Sequence, residues 1–126
     1  MLTVDHDGHH FQFQHVEAAD QVIYNLYIDG GMDSTFTVAV PASFTMAMHQ
    51  MLPDQLQVDP VLVVGDHSNL KVQIIAAEVA KMVIIHKQKP VVLSLGSKWF
   101  GRDLADGDFD RLMWVLGQVK ADLSSR

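Results

Sequence analysis

Apolar and polar residues alternate through the first third of the chain, and that two-residue period predicts strands. Between His9 and Val16, Phe11 and Phe13 face one way and Gln12 and Gln14 the other. Between Gln21 and Ile28, the residues Val22, Tyr24, Leu26 and Ile28 share a face. The stretch Asp29-Gly30-Gly31-Met32-Asp33 then reads as a hairpin turn. Ser34 to Val40 returns as a third strand, with Phe36, Val38 and Val40 on one side. Pro41 ends it, since proline has no amide donor for a ladder.

Beyond Pro41 the pattern loosens. Phe44, Met46, Met48, Met51 and Leu52 are apolar, but their spacing fits neither period, so Pro41 to Pro60 is compatible with a fourth strand or a short helix. Pro60 to Gly65 is a short continuous apolar strand, and Asp66 or Ser68 suits an N-cap for a helix from Leu70 to Ile85. Val83-Ile84-Ile85 is also good strand material, which places the helix end before His86. Lys87 to Lys89 is a polar break, and Pro90 to Leu95 is a second buried strand closed by Gly96.

The 70–85 helix is apolar nearly all the way round. Lys71, Glu78 and Lys81 fall on one narrow arc, and Leu70, Ile74, Met82 and Ile85 fall on or beside it. A surface helix ordinarily shows a clean polar face. A short chain has one modest core and cannot easily surround a whole helix, so this surplus points to a partner protein. A last helix is expected from about Asp108 to Leu123, with Asp106 or Asp108 at its cap. Phe109, Leu112, Met113, Leu116, Val119 and Leu123 form one stripe, assigned to the core. Trp114 lies off that stripe beside Gly117 and Ala121, an arrangement expected to give a flat contact patch. The order of elements predicts an α+β domain: a mainly antiparallel sheet of about five to six strands with two helices packed on it.

The 126 residues fit a single domain, with residues 1–8 expected to be flexible. A net charge of -6 disfavours nucleic acid and anionic membranes, which select basic surfaces. The chain has no cysteine, so disulfides and thiolate metal sites are excluded. That composition agrees with a cytoplasmic, or also nuclear, location. The start of the chain has neither the apolar run of a signal peptide nor the character of a transit peptide.

Several motifs suggest chemistry and each has a plainer reading. Asp29-Gly30-Gly31-Met32-Asp33-Ser34-Thr35 resembles the pyrophosphate-binding loop of the ATP pyrophosphatases. Asp29 replaces the leading serine of that loop and would repel phosphate, and a strand rather than a helix follows. His6, His9 and His10 with Asp5 and Asp7 have ligand chemistry but no further spaced ligands, so no metal is assigned. Ser94, Ser97 and Lys98 with His67 and Asp66 lack a nucleophile-elbow sequence, so no catalytic set and no cofactor are assigned. Lys98-Trp99-Phe100-Gly101-Arg102 sets two aromatics between cations, either as interface anchors or as a lid folded on the core.

The layout from Val58 onward (strand, Gly65 turn, apolar helix, strand, polar loop, amphipathic helix) follows a strand meander. With Val61-Leu62-Val63-Val64-Gly65, Ala76-Ala77-Glu78-Val79-Ala80-Lys81 and Lys89-Pro90-Val91-Val92-Leu93-Ser94, the chain resembles the small proteasome-assembling chaperones of the third and fourth subunit type. The resemblance implies a non-enzymatic chaperone. It would dimerise, with itself or with a related subunit, and hold proteasome α-type subunits while the 20S α-ring forms. A roadblock- or longin-like dimeric scaffold is the alternative, and a nucleotide-binding enzyme using the Asp29–Ser34 turn is a third. The candidate partner surface comprises Leu70, Ile74 and Met82 of the first helix, Trp99, Phe100 and Arg102 of the loop, and Trp114 and Gly117 of the last helix.

Overall fold

The computed structural model describes residues 2–41, 58–101, 103 and 105–124. The ambiguous 42–57 stretch and Arg102 therefore lie outside the described residues. Six strands form one sheet in the order β1-β2-β3-β6-β4-β5. They are β1 (Leu2–His6), β2 (His9–Glu17), β3 (Val22–Ile28), β4 (Ser34–Val38), β5 (Val61–Val64) and β6 (Val91–Leu95). The helices are α1 (Leu70–Lys87) and α2 (Asp108–Ser124). Only β3 and β6 pair in parallel; the other neighbours are antiparallel. The architecture is the expected α+β one.

The two-residue period assigns the faces. Phe11, Phe13, Tyr24, Leu26, Phe36, Val38, Val91, Leu93 and Leu95 are buried, and both helices pack on their side. The registers Phe13↔Leu26, Tyr24↔Leu93 and Phe36↔Leu93 carry that face across four strands. β6 reads as an apolar run because it lies inside the sheet, bonded to β3 on one side and β4 on the other.

Four sequence expectations differ from the structure. Residues 2–6, expected to be flexible, form β1 and pair with β2 from Leu2↔Phe13 to His6↔His9. Asp7 and Gly8, at φ 55° and 76°, make the two-residue turn that joins them, and a glycine takes that backbone at no steric cost. The turn at Asp29–Gly30 is tight, with Ile28 bridged to Gly31, yet β3 and β4 are not a hairpin. β6 inserts between them, so the strands diverge as soon as they leave the turn. The N-cap of α1 is Asn69, whose buried side chain accepts from the Val72 amide at 3.2 Å, rather than Asp66 or Ser68. The helix also runs past His86 to Lys87, where Gln88 in the left-handed region ends it with its amide on the Ile84 carbonyl.

The phase of α2 is the largest correction. Val115, Val119, Asp122 and Leu123 are its buried residues, whereas Phe109 and Met113, expected in the core, are exposed. Trp114 turns inward. Its ring stacks on His6 with centroids 4.0 Å apart and meets Phe11 edge-on at 4.7 Å. Of the expected stripe, Val119 and Leu123 are buried and Leu112 and Leu116 pack partly buried against the core, while the aromatics of the β1–β2 hairpin draw Trp114 inward beside them.

Candidate functional site

The surplus apolar surface on α1 is real but smaller than the sequence implies. Seven of its residues, from Val72 to Ile84, are buried in the chain's own core, and Met82 and Ile85 are partly buried against it. Leu70 and Ile74 remain 66% and 60% exposed. Across from them on α2, Phe109 and Met113 are 71% and 50% exposed. Both pairs are four residues apart, so each forms one row along its helix.

The helices begin at the same end of the sheet. Lys71 fixes this: its ammonium donates to the Phe100 carbonyl at 2.7 Å and to Asp108 at 3.0 Å. Asp108 also accepts from the Ala105 amide at 2.8 Å, tying the start of α2 to the turn before it. That amide, with Lys71 second, holds the Asp108 carboxyl below its ordinary pKa. Between the two helix starts lies a cleft of about 550 Å³ lined by Leu70, Ile74, Ile75, Phe100, Phe109 and Leu112, with Asp103 and Asp108 at its edge.

Trp99 and Phe100 do not stand out as surface anchors; they are only 6% and 3% exposed and close the end of the core. Trp99 donates its indole N–H to Asp7 at 3.1 Å and packs edge-on against Phe11. Arg111 lies 5.2 Å over the Trp99 ring and donates to the Trp99 carbonyl at 2.9 Å. The lid reading of this loop is therefore the one the structure has. Trp114 is half-buried in the same aromatic cluster, which corrects its assignment to a contact patch. Gly117 is exposed, with open space around it. The structure thus unites Leu70 and Ile74 in one surface, adds Phe109 and Met113, and removes Trp99 and Phe100. The period-3.6 stripe hid Phe109, because an apolar residue at core spacing carries no mark of exposure.

A second apolar surface lies on the opposite side. Among the described residues no helix covers the other face of the sheet, where Gln12, Gln14, Ile23, Asn25, Tyr27, Thr35, Val92 and Ser94 are half-buried. Toward β5 this face becomes apolar. The register passes from Thr35↔Val64 to Phe36↔Leu62, so Val63 is an extra residue in a bulge. Val61, Val63 and Val64 are all exposed at this edge.

The turn that resembles a pyrophosphate loop is occupied by its own chain. Asp29 accepts from the His10 amide at 2.9 Å and meets the His9 ring at 2.6 Å. Asp33 accepts from the Ser97 amide and hydroxyl at 3.0 and 2.9 Å. Among the described residues, no group of three or more His, Asp or Glu is placed to hold a metal ion, and no helix is long and apolar enough to cross a membrane.

A small sheet with both helices on one side and apolar surface left over on each is the build of a protein that works by contact. The same fold occurs in a solved chain described as part of a novel chaperone complex for yeast 20S proteasome assembly, at 24% identity and a TM-score of 0.72. That likeness covers 92% of this chain and 89% of the other. No curated protein sequence matches the chain. The family model of the 20S proteasome chaperone assembly proteins 3 and 4 matches residues 3–120, and the chain belongs to that family. It is a non-enzymatic chaperone of proteasome assembly.

Proposed function

We propose that the chain dimerises, with itself or with a related subunit, and that the dimer holds a proteasome α-type subunit during assembly of the 20S α-ring. The observation that carries the reading is the sheet face that no helix covers among the described residues. A sheet buried on one side only, with Ile23, Tyr27, Val92 and the valines of β5 on the other, leaves apolar area that a second sheet covers well. Its mixture of glutamine, asparagine, threonine and valine keeps a lone copy soluble while giving the contact directional hydrogen bonds. A contact of this kind needs about 800 Å² per partner. We place the dimer in the cytoplasm, or also in the nucleus, in keeping with its cysteine-free composition.

Light scattering at micromolar concentration tests the dimer. The chain, or the chain with its co-expressed related subunit, should give the mass of a pair, and Val63→Asp with Val92→Asp should give single copies. A single-copy mass for the wild-type chain in both preparations would contradict the reading.

A further inference from the structure

The cleft between the starts of α1 and α2 lies on the layer opposite the helix-free sheet face, so a dimer formed through that face leaves one cleft open on each outer side. Part of its apolar wall, Ile75, Phe100 and Leu112, belongs to the core, and part does not. Leu70, Ile74 and Phe109 are exposed, and charged residues at those positions would fold equally well and dissolve better. Among the described residues the rim carries more carboxylates than cations. Asp103 and Asp108 line the cleft, Asp106 stands exposed on the turn before α2, and Asp110 stands exposed in its first turn. Among the described residues the cation lining it is Lys71, which is already committed to Asp108 and the Phe100 carbonyl.

An apolar floor inside an acidic rim selects its occupant. We infer that the cleft receives an apolar ridge of the client protein, one or two Leu, Ile or Phe side chains flanked by Lys or Arg. The apolar side chains fill the space between Ile74 and Phe109, and the cations settle on Asp103 at the cleft and on Asp110, exposed next to Phe109 in the first turn of α2. A second copy of this chain is a poor occupant. Packing the cleft on itself would set Asp103, Asp106 and Asp110 of one copy against the same residues of the other, in a chain already at -6. The inference rests on the proposed function, in that the client is an α-type subunit, and extends it by separating the client site from the dimer face.

The test titrates purified proteasome α-type subunits, one at a time, against the immobilised chaperone at low and moderate salt. The wild type should bind at least one subunit, more weakly as salt rises. Ile74→Glu and Phe109→Glu should each weaken that binding by about tenfold or more. Asp103→Lys with Asp110→Lys should weaken it as well. Ile74→Ala and Phe109→Ala are the gentler pair, expected to weaken binding with no change in melting temperature. All the variants should keep the mass of the parent assembly. Unchanged affinity in folded variants would overturn the client site while leaving the client-holding reading intact. Loss of assembly mass in the variants would make the cleft a contact between copies and overturn it too. A wild-type chain that binds no α-type subunit would instead defeat the proposed function, and this occupant with it.

Discussion

His15 on β2 donates from Nδ1 to Oδ2 of Asp122 on α2 across 2.8 Å, and both side chains are almost wholly removed from water. Tyr24 on β3 donates its hydroxyl to the same oxygen at 3.1 Å. One carboxylate therefore ties the last turn of the C-terminal helix to two adjacent strands. Burial first, and the Asp122 charge second, push the Tyr24 phenol far above its ordinary pKa, so it stays a donor at any working pH. A buried acid without its donors is costly. Asp122→Ala should lower stability by about 3–5 kcal/mol, while Tyr24→Phe should cost about 1 kcal/mol. Urea unfolding at neutral pH measures both. An Asp122→Ala cost no larger than that of Tyr24→Phe would mean the tie contributes little.

The corrected phase of α2 gives a second test. Trp114 sits against His6, Phe11 and Trp99, and Met113 points to solvent. Trp114→Ala should cost about 2–4 kcal/mol. Met113→Ala should stay within about 0.5 kcal/mol of the parent. The reverse ranking in denaturant would restore the aliphatic stripe as the buried side.

Gly96 marks where β6 ends between the diverging strands. A Cβ there would stand 2.9 Å from the Gly31 carbonyl oxygen, which is backbone and cannot swing aside. Gly96→Ala should therefore destabilise by about 1–3 kcal/mol, read as a lower thermal midpoint. Gly117→Ala is its control, since nothing lies near the added carbon, and in mid-helix the change should be neutral or stabilising.

Three carboxyls held by cations or amides predict the acid limb of stability. The Lys89 and Lys87 ammonium groups lower the Glu17 pKa from its ordinary 4.5. The His10 amide and the His9 ring lower that of Asp29 from 3.8, and the Ala105 amide and Lys71 lower that of Asp108 from 3.8. Each folded-state pKa lies below the unfolded one, so the unfolded chain takes up protons first as pH falls. Their contribution is complete above the ordinary values and is lost as pH drops through the lowered ones. The melting temperature should fall as pH is taken below about 4.5, and less steeply in Asp108→Asn. A profile that Asp108→Asn leaves unaltered would remove that carboxyl from the account.

The fold was legible wherever one period acted alone. The alternation of Phe11, Phe13, Tyr24, Leu26, Phe36 and Val38 gave the strands and their inner side, and composition placed β5 and β6. Topology was not legible at the Asp29–Gly30 turn. A tight turn and two alternating strands suggest a hairpin, and no local signal announces that a strand some 60 residues later will wedge between them. β1 was legible after all, since Asp7-Gly8 is a standard two-residue turn and Leu2 and Val4 alternate before it. On α2 the apolar stripe held for Leu112, Leu116, Val119 and Leu123 but not for Phe109 and Met113, because an aromatic cluster supplied by β2 and the 98–101 loop draws the helix's inner side toward Trp114. Asp122 went unnoticed for the same reason: its partners lie 98 and 107 residues away. Of the candidate surface, Leu70 and Ile74 were read correctly as exposed. Trp99 and Phe100 were not, since an aromatic pair in a loop serves a lid and an interface equally well.

The most direct measurement is native mass spectrometry of the chaperone, alone or with its related subunit, mixed with purified proteasome α-type subunits. The account predicts one dominant species containing a chaperone pair and a single α-type subunit, at micromolar concentration and moderate salt. Spectra holding only single chaperone copies and free α-type subunits would contradict it.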